Sequence, residues 1–168
     1  MERTISGMMG KGSVNHNTRA FSAKNVDKER SRDNVEFCHE DIKAVYHELF
    51  DEALERYNAK QKRSDRKIEN YYEKIRQGKQ EKLFYEVIFQ IGNRDDMNVR
   101  SEEGQLAKQI LIDFMADFQS RNPNLHVFSA HLHMDEETPH IHIDFVPVIT
   151  GSKRGLDTRV SLKGALAE

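Results

Sequence analysis

Residues 125–149, from Leu125 to Ile149, read LHVFSAHLHMDEETPHIHIDFVPVI, and this stretch decides the fold. Leu125 to His133 and His140 to Ile149 are strand-like runs. The six residues between them, Met134-Asp135-Glu136-Glu137-Thr138-Pro139, form an acidic connection that ends in proline. Two such runs around a tight turn predict an antiparallel hairpin. Alternate side chains on a strand share a face. With His133 near His140, the four imidazoles of His131, His133, His140 and His142 lie with Asp144 on one face, and Leu132, Ile141, Ile143 and Phe145 turn to the core. Facing Cβ atoms sit about 4.5–5.5 Å apart, and a divalent ion takes imidazole nitrogens at about 2.0–2.1 Å, so three histidines can meet one ion. A single His-x-His pair is commonly the polar side of an alternating strand; two pairs closing one turn point to a metal. Three histidines leave coordination positions open, as catalytic sites do. Zn, Mn, Ni, Cu or Co suits imidazole better than Mg, which prefers oxygen. Glu136, three residues after His133, is the natural supporting carboxylate or additional ligand. Pro139 and the strand period exclude a helical His-Glu-x-x-His motif.

Working outward, Leu83 to Ile91 is a near-continuous apolar run that predicts a strand covered on both faces and central in the sheet. Ser101-Glu102-Glu103 caps a helix carrying Leu106, Ile110, Leu111, Phe114, Met115 and Phe118, and Asn122-Pro123 stops it. Ile42, Val45, Tyr46, Leu49, Phe50, Ala53, Leu54 and Tyr57 fall at helical spacing, and the pattern resumes at Ile68, Tyr71, Tyr72 and Ile75. Residues 41–77 therefore predict either one long helix or two with a break near Ser64-Asp65. A single rod of 36 residues would span about 54 Å, so part of it must project or bend. Thr4 to Met9 and Asn34 to Cys38 predict short strands, and Asn15 to Asp33 a long polar loop. Long loops in compact domains are often functional. Together these elements predict one α+β domain over 1–168. Its mainly antiparallel sheet has about five strands, with helices on one face, the metal site on the other, and a long projecting helix or helical pair. The helical pattern from Val160 runs to Glu168 without a stop signal, so the chain reads as truncated from a longer protein.

Composition narrows the classes further. The chain of 168 residues is 37% hydrophobic and 32% charged, with a net charge of −2, which excludes a large apolar interior and does not by itself advertise a nucleic-acid partner. Its one cysteine, Cys38, excludes an intrachain disulfide and any Cys-rich zinc module. There is no run approaching the roughly 18 apolar residues of a membrane span, and Met1 to Ser6 lacks a signal peptide's apolar region; a soluble, cytoplasmic protein is expected. Gly7 to Ser13 has the wrong spacing for a phosphate loop, and no helix is signalled after it. His16-Asn17-Thr18-Arg19 sets an imidazole beside a guanidinium, which can hold a phosphate bidentately.

The early His-Asn-x-Arg (His16 to Arg19) together with the later His-x-Asp-Glu-x-x-Pro-His-x-His (His133 to His142) resembles the Mob/Pre plasmid mobilization and recombination relaxases. This MobV family belongs to the HUH endonuclease class, named for its His-hydrophobic-His pair, here His140-Ile141-His142. The resemblance runs through the whole chain, including Arg159 to Leu166. It implies a nickase at a plasmid transfer origin that cuts one DNA strand, keeps the 5′ end covalently bound and later rejoins it. By motif it implies that His133, His140 and His142 hold a divalent metal, that Glu136 supports the site, that Arg19 steadies the scissile phosphate, and that His16 is the nucleophile. Manganese is the expected ion, with Mg, Zn, Ni or Co as alternatives. Most HUH nucleases attack with tyrosine, but Tyr46, Tyr57, Tyr71, Tyr72 and Tyr85 all fall in helix or strand patterns. A histidine must attack as the neutral imidazole, and a nearby dication and Arg19 favour that form.

The implied partner is DNA, a single-stranded cleavage region beside a hairpin or duplex at a transfer origin, with the conjugation machinery a further candidate partner. Residues 60–82 carry nine cations against four carboxylates, a net +5, with Lys62, Arg63, Arg66 and Lys67 foremost. Lys153 and Arg154 in the tail, with Lys24, Lys28, Arg30 and Arg32 in the early loop, extend a surface that could track phosphates. Two competing readings share these residues: a non-cleaving DNA-binding regulator with a structural metal site, and a metal-dependent hydrolase of small phosphoesters. Covalent capture of an oligonucleotide separates the first reading from both.

Overall fold

The histidine strands pair as the hairpin that their alternation requires. The computed structural model describes residues 4–167; Met1 to Arg3 and Glu168, which belong to the segments read above as leaderless and truncated, lie outside the described residues. Strands β4 (Leu125–His133) and β5 (His140–Ile149) are antiparallel, with His133 opposite His140 and His131 opposite His142. A bulge between Val127 and Ser129 shifts the register farther along. Around them β1 (Ile5–Met9), β2 (Val35–His39) and β3 (Tyr85–Ile91) complete a sheet ordered β1-β3-β5-β4-β2, every pair antiparallel. A sixth strand, β6 (Arg159–Val160), pairs with the far end of β5. The sheet thus has six strands where about five were expected, because the two-residue β6 is too short to leave a periodic signal.

Alternation divides the interior into two cores. Leu132, Ile141, Ile143 and Phe145 turn to one face, where α4 (Glu102–Ala116) and α5 (Phe118–Arg121) cover them with Ala107, Leu111, Met115 and Phe118. Ser101 caps α4, its Oγ accepting from Gly104 N at 3.0 Å. A side chain at Gly104 would meet the Asn98 carbonyl at 2.1 Å, so only glycine lets the helix start this close to the preceding loop.

On the other face, the far half of the hairpin presents Phe128 and Val146 to α2 (Ile42–Ala59) and α3 (Tyr71–Gln77), which contribute Val45, Phe50 and Tyr71. Of the two alternatives for residues 41–77, the broken pair is the one realised. A single 3-10 turn at Ser64–Arg66 marks the break. The Asn58 side chain then clasps the backbone of Ile68, donating from Nδ2 to its carbonyl at 2.8 Å and accepting its N–H at 2.9 Å. This two-point clasp turns the chain back, so α3 packs beside α2 through Tyr46, Phe50, Tyr71 and Tyr72. Strand β3 is internal, as expected, but starts at Tyr85, since Leu83 and Phe84 pack into this second core. The remaining half of this face is the histidine half, and it is left to the N-terminal loop.

Candidate active site

The histidine face is covered. Exposure is 0% at His133, 8% at His140 and 7% at His142. The cover is the segment after β1, where Ser13 caps a one-turn helix, α1 (Val14–Asn17), inside what the sequence reads as a long loop. His16 sits on this turn and looks down on the hairpin. Its ring centroid lies 5.9 Å from that of His133 and 6.1 Å from that of His142.

The three hairpin rings form a nearly equilateral triangle, with centroids 5.3 Å apart for His133 and His140, 4.8 Å for His133 and His142, and 5.0 Å for His140 and His142. His133 and His140 each have a hydrogen-bond partner at one nitrogen. His133 Nε2 donates to the Asn17 carbonyl at 2.8 Å, and His140 Nδ1 donates to the Thr138 carbonyl at 2.8 Å. His142 Nδ1 faces Glu86 Oε1 at 3.3 Å. Such contacts fix the tautomer and leave the opposite nitrogen's lone pair for a metal. The buried nitrogens His133 Nδ1, His142 Nδ1 and His142 Nε2 have no hydrogen-bond partner, an unfavourable state unless a ligand completes it. Candidate ligand atoms fall into two groups sharing His133, each with its atoms within 4.8 Å of one another: His16, His133 and His142, and His133, Glu136 and His140. These imidazole nitrogens and one carboxylate fit a divalent transition-metal ion.

Glu136 stands at the centre of this arrangement. Its carboxylate lies 3.6 Å from His16 Nε2, 4.0 Å from His133 Nδ1 and 3.8 Å from His140 Nε2. Arg19 joins it from the side. Nη2 donates to Glu136 Oε1 at 2.9 Å and also to Asp135 Oδ1, while Nε donates to Asp135 Oδ2 at 2.8 Å. Nη1 reaches the His16 carbonyl at 3.0 Å and His16 Nε2 at 3.3 Å. Four of the five guanidinium hydrogens thus have oxygen acceptors, and the fifth meets His16 Nε2 only in the tautomer that carries its proton on Nδ1. Arg19 also has a φ of 62°, a left-handed conformation that is unfavourable for a residue with a side chain. The strut between His16 and the Asp135-Glu136 pair holds that conformation in place.

The electrostatics follow from burial. Desolvation, reinforced by Arg19, holds the His16 pKa below its ordinary value. His133 is pushed down to about 2 by burial, with His142, Arg19 and His140 adding to the effect against the hydrogen bond to Asn17. Burial and His142 also lower His140. Burial thus favours the neutral imidazole at His16, His133 and His140, the form that ligands and a nucleophile require. Asp144 is pushed up to about 8 by burial and by Glu86, so it is protonated and shares its proton with that carboxylate.

Three residues of the site have no role in the sequence reading, although Asn17 and Asp135 stand inside the two motifs. Asn17 Nδ2 donates to Glu86 Oε2 at 2.6 Å and to Asp144 Oδ2 at 3.1 Å, while its carbonyl receives His133. Glu86 backs His142, and its one sequence signal is a carboxylate inside the apolar run Leu83 to Ile91. Asp135 is fully buried and accepts from Arg19, Ser31 and Asn34. His131 stays outside the triangle, 3.4 Å from Glu36.

The structure therefore gathers His16, Arg19, Glu136, His133, His140 and His142, and separates them from the basic candidates. Lys62, Arg63, Arg66 and Lys67 are exposed on the turn between α2 and α3, and Lys153 and Arg154 are exposed in the loop after β5. Arg63 is paired with Asp65. Among the described residues no helix is long and apolar enough to cross a membrane.

Comparison with known proteins agrees with this geometry. The MobM relaxase domain (MOBV; Mob_Pre), crystallised with manganese and a 22-nucleotide oriT DNA of plasmid pMV158 at pH 5.5, matches with a TM-score of 0.50 and 22% identity, over 95% of this chain and 75% of that one. The same domain at pH 4.6 gives a TM-score of 0.49 and 22% identity, over 96% and 76%. At this identity the likeness is one of fold. A search of curated proteins finds no match. The family model described as plasmid recombination enzyme, Mob_Pre, matches residues 9–163, nearly the whole chain, and the chain belongs to that family.

Proposed function

We propose that this protein is a metal-dependent, site-specific DNA strand transferase, a relaxase that nicks one strand at a plasmid transfer origin and rejoins it through a covalent protein-DNA intermediate. The observation that carries the reading is the placement of His16 over a triangle of three buried histidine rings, with unpartnered nitrogens on His133 and His142. Family membership and the oriT DNA held by the MobM domain support it. His133, His140 and His142, with Glu136 at their edge, would hold the divalent ion, manganese by analogy with MobM. When bound, that ion neutralises charge growing on the phosphate oxygens.

His16 acts as the nucleophile. Burial and Arg19 keep its imidazole neutral. One ring nitrogen bonds to phosphorus, the bond to the 3′-oxygen breaks, and the 5′-phosphoryl end stays on the ring. The imidazole N–H proton passes to the leaving 3′-oxygen, and Glu136, 3.6 Å from His16 Nε2, is the carboxylate near enough to carry it. Reversal by the same 3′-hydroxyl rejoins the strand without a nucleotide cofactor. Arg19, with its N–H groups already engaged, is a positioning residue that aims His16; it meets a phosphate only by exchanging one of those partners. The basic turn and tail serve the flanking DNA. The protein would act in the cytoplasm, where plasmid DNA lies, and deliver the bound strand to a conjugation apparatus. The test is incubation with supercoiled plasmid, with and without a candidate transfer origin, in manganese. Origin-dependent nicking with protein attached to the 5′ end is expected; binding without nicking would favour a regulator.

A further inference from the structure

A basic cleft lies apart from the histidine site. It measures about 820 Å³ and lies between α3 and the loop joining β5 to β6. Its floor is apolar, with Ile68 and Leu156, and Tyr57 forms part of the wall. Lys74, Lys79, Arg154 and Arg159 line it, against one carboxylate, Glu81. That carboxylate is already engaged, accepting from Tyr85 Oη and Leu162 N. Lys74, Lys79 and Arg154 are exposed and have no side-chain partner among the described residues, although the chain as a whole is net negative. A second cleft of about 440 Å³ shares Tyr57 and adds Lys60 and Lys153. Unpaired cations gathered in a concave, apolar-floored cleft with an aromatic wall suit a polyanion that also has flat apolar faces.

We propose that this cleft is a second DNA subsite, one that takes an unpaired strand, with phosphates on Lys74, Lys79 and Arg154 and a base against Tyr57. The proposal rests on the relaxase reading. A space of this volume is about 9 Å on a side if cubic. A duplex, whose major groove alone is about 12 Å wide, cannot enter; a single strand can. Position supports the assignment. His142 and Val148 are on the same face of β5, and Val148 pairs with Val160, which lines the cleft. Six strand residues separate the two sites, about 20 Å at roughly 3.3 Å each. That distance is about six stacked nucleotides at 3.4 Å, so one continuous strand can occupy both.

The test measures anisotropy of labelled oligothymidylates of 4, 8, 12 and 16 nucleotides, and of a 16-base-pair duplex, across a salt series. Wild type should gain affinity stepwise between the 4-mer and the 12-mer. Lys74→Glu/Lys79→Glu/Arg154→Glu removes three phosphate contacts and should flatten the salt slope for the 16-mer by about 2, at about 0.7 per contact, abolishing the step. Tyr57→Leu keeps the apolar packing and should weaken the 16-mer roughly five- to 150-fold through lost stacking. All four changed positions are at or near the surface, and circular dichroism with a melting curve verifies folding. An unchanged slope in a folded variant overturns the subsite. So does an equal loss for 4-mer and 16-mer, which is a general charge effect, and so does an equal loss on the duplex. Wild type that binds no oligothymidylate of any length overturns the relaxase reading itself.

Discussion

Asp135→Ala is the sharpest probe of how the nucleophile turn is held. The wild-type carboxylate is fully buried and accepts from Arg19 Nε and Nη2, Ser31 Oγ and Asn34 Nδ2. Removing it leaves a largely buried guanidinium without its main counter-charge, a change that costs about 3–5 kcal/mol when such a pair is broken. At about 2–4 °C per kcal/mol for a chain of this size, the melting temperature should fall by about 6–20 °C. The same logic fixes the double variant. With Arg19→Ala also present, neither member of the buried pair remains, so the combined loss should be well short of the sum of the two single losses, and the coupling energy should exceed about 1 kcal/mol. Urea unfolding followed by circular dichroism measures all four corners, the chain having no tryptophan. The pH dependence has a definite sign. Hydrogen bonds from Arg19, Ser31 and Asn34 outweigh burial and depress the Asp135 pKa in the folded state. The stabilisation is therefore complete above the unfolded carboxylate value near pH 4 and is lost as pH falls toward the folded value. The gap between wild type and Asp135→Ala should be flat from about pH 6 to 8 and narrow in acid. Additive single losses, or a gap that widens in acid, would refute the strut.

Further outcomes follow from the same geometry. Purified protein should bind one divalent ion per chain, and His140→Ala or His142→Ala should lose most of it; metal analysis that finds wild-type content in both variants contradicts the assignment. Manganese should raise the melting temperature of wild type by selective binding to the folded state, and a chelator should reverse the gain. Asn17→Ala keeps the backbone carbonyl that receives His133 but frees Glu86 and Asp144, so it should cut covalent adduct yield at saturating metal by about tenfold or more, given the sensitivity of reactions to small misplacements; unchanged yield would reduce Asn17 to packing. Reversing charge at Lys62, Arg63, Arg66 and Lys67 should weaken binding of hairpin DNA and lower its salt slope while metal content stays constant, and an unchanged slope would assign that turn to solvation.

The elements with strong periodicity were legible without coordinates. β4 and β5 begin and end where the histidine runs do, and α4 starts at the expected Ser101 cap. The hairpin face followed because strand alternation is strictly local. What stayed hidden depends on contacts distant in sequence. The burial of the histidines arises from residues 13–34 folding over the hairpin, and Asp27 N donating to the Asp135 carbonyl at 2.7 Å is one such long-range stitch. The return of α3 depends on Asn58 and Ile68, a side-chain clasp with no periodic signature. Glu86 and Asp144 are paired by strand register, and the reading that placed Asp144 beside the histidines could not supply its partner. Arg19 is an instructive case: its place in the motif was visible, but its engagement by Asp135, Glu136 and the His16 carbonyl was not, and the strut proposed above rests on that engagement.

The central claim is that His16 carries the covalent bond to DNA. The most direct measurement traps the adduct with a 3′-labelled oligonucleotide spanning a candidate cleavage site, isolates it under denaturing conditions and exposes it to mild acid. A phosphorus–nitrogen bond to imidazole is acid-labile, whereas a tyrosine phosphodiester survives. The account predicts that the wild-type adduct releases its label in acid, that His16→Ala forms no adduct yet still binds DNA and metal, and that Tyr46→Phe, whose hydroxyl is buried against Leu83 and held far above its ordinary pKa by desolvation, reacts like wild type. An acid-stable adduct, or one that persists in His16→Ala, would contradict it.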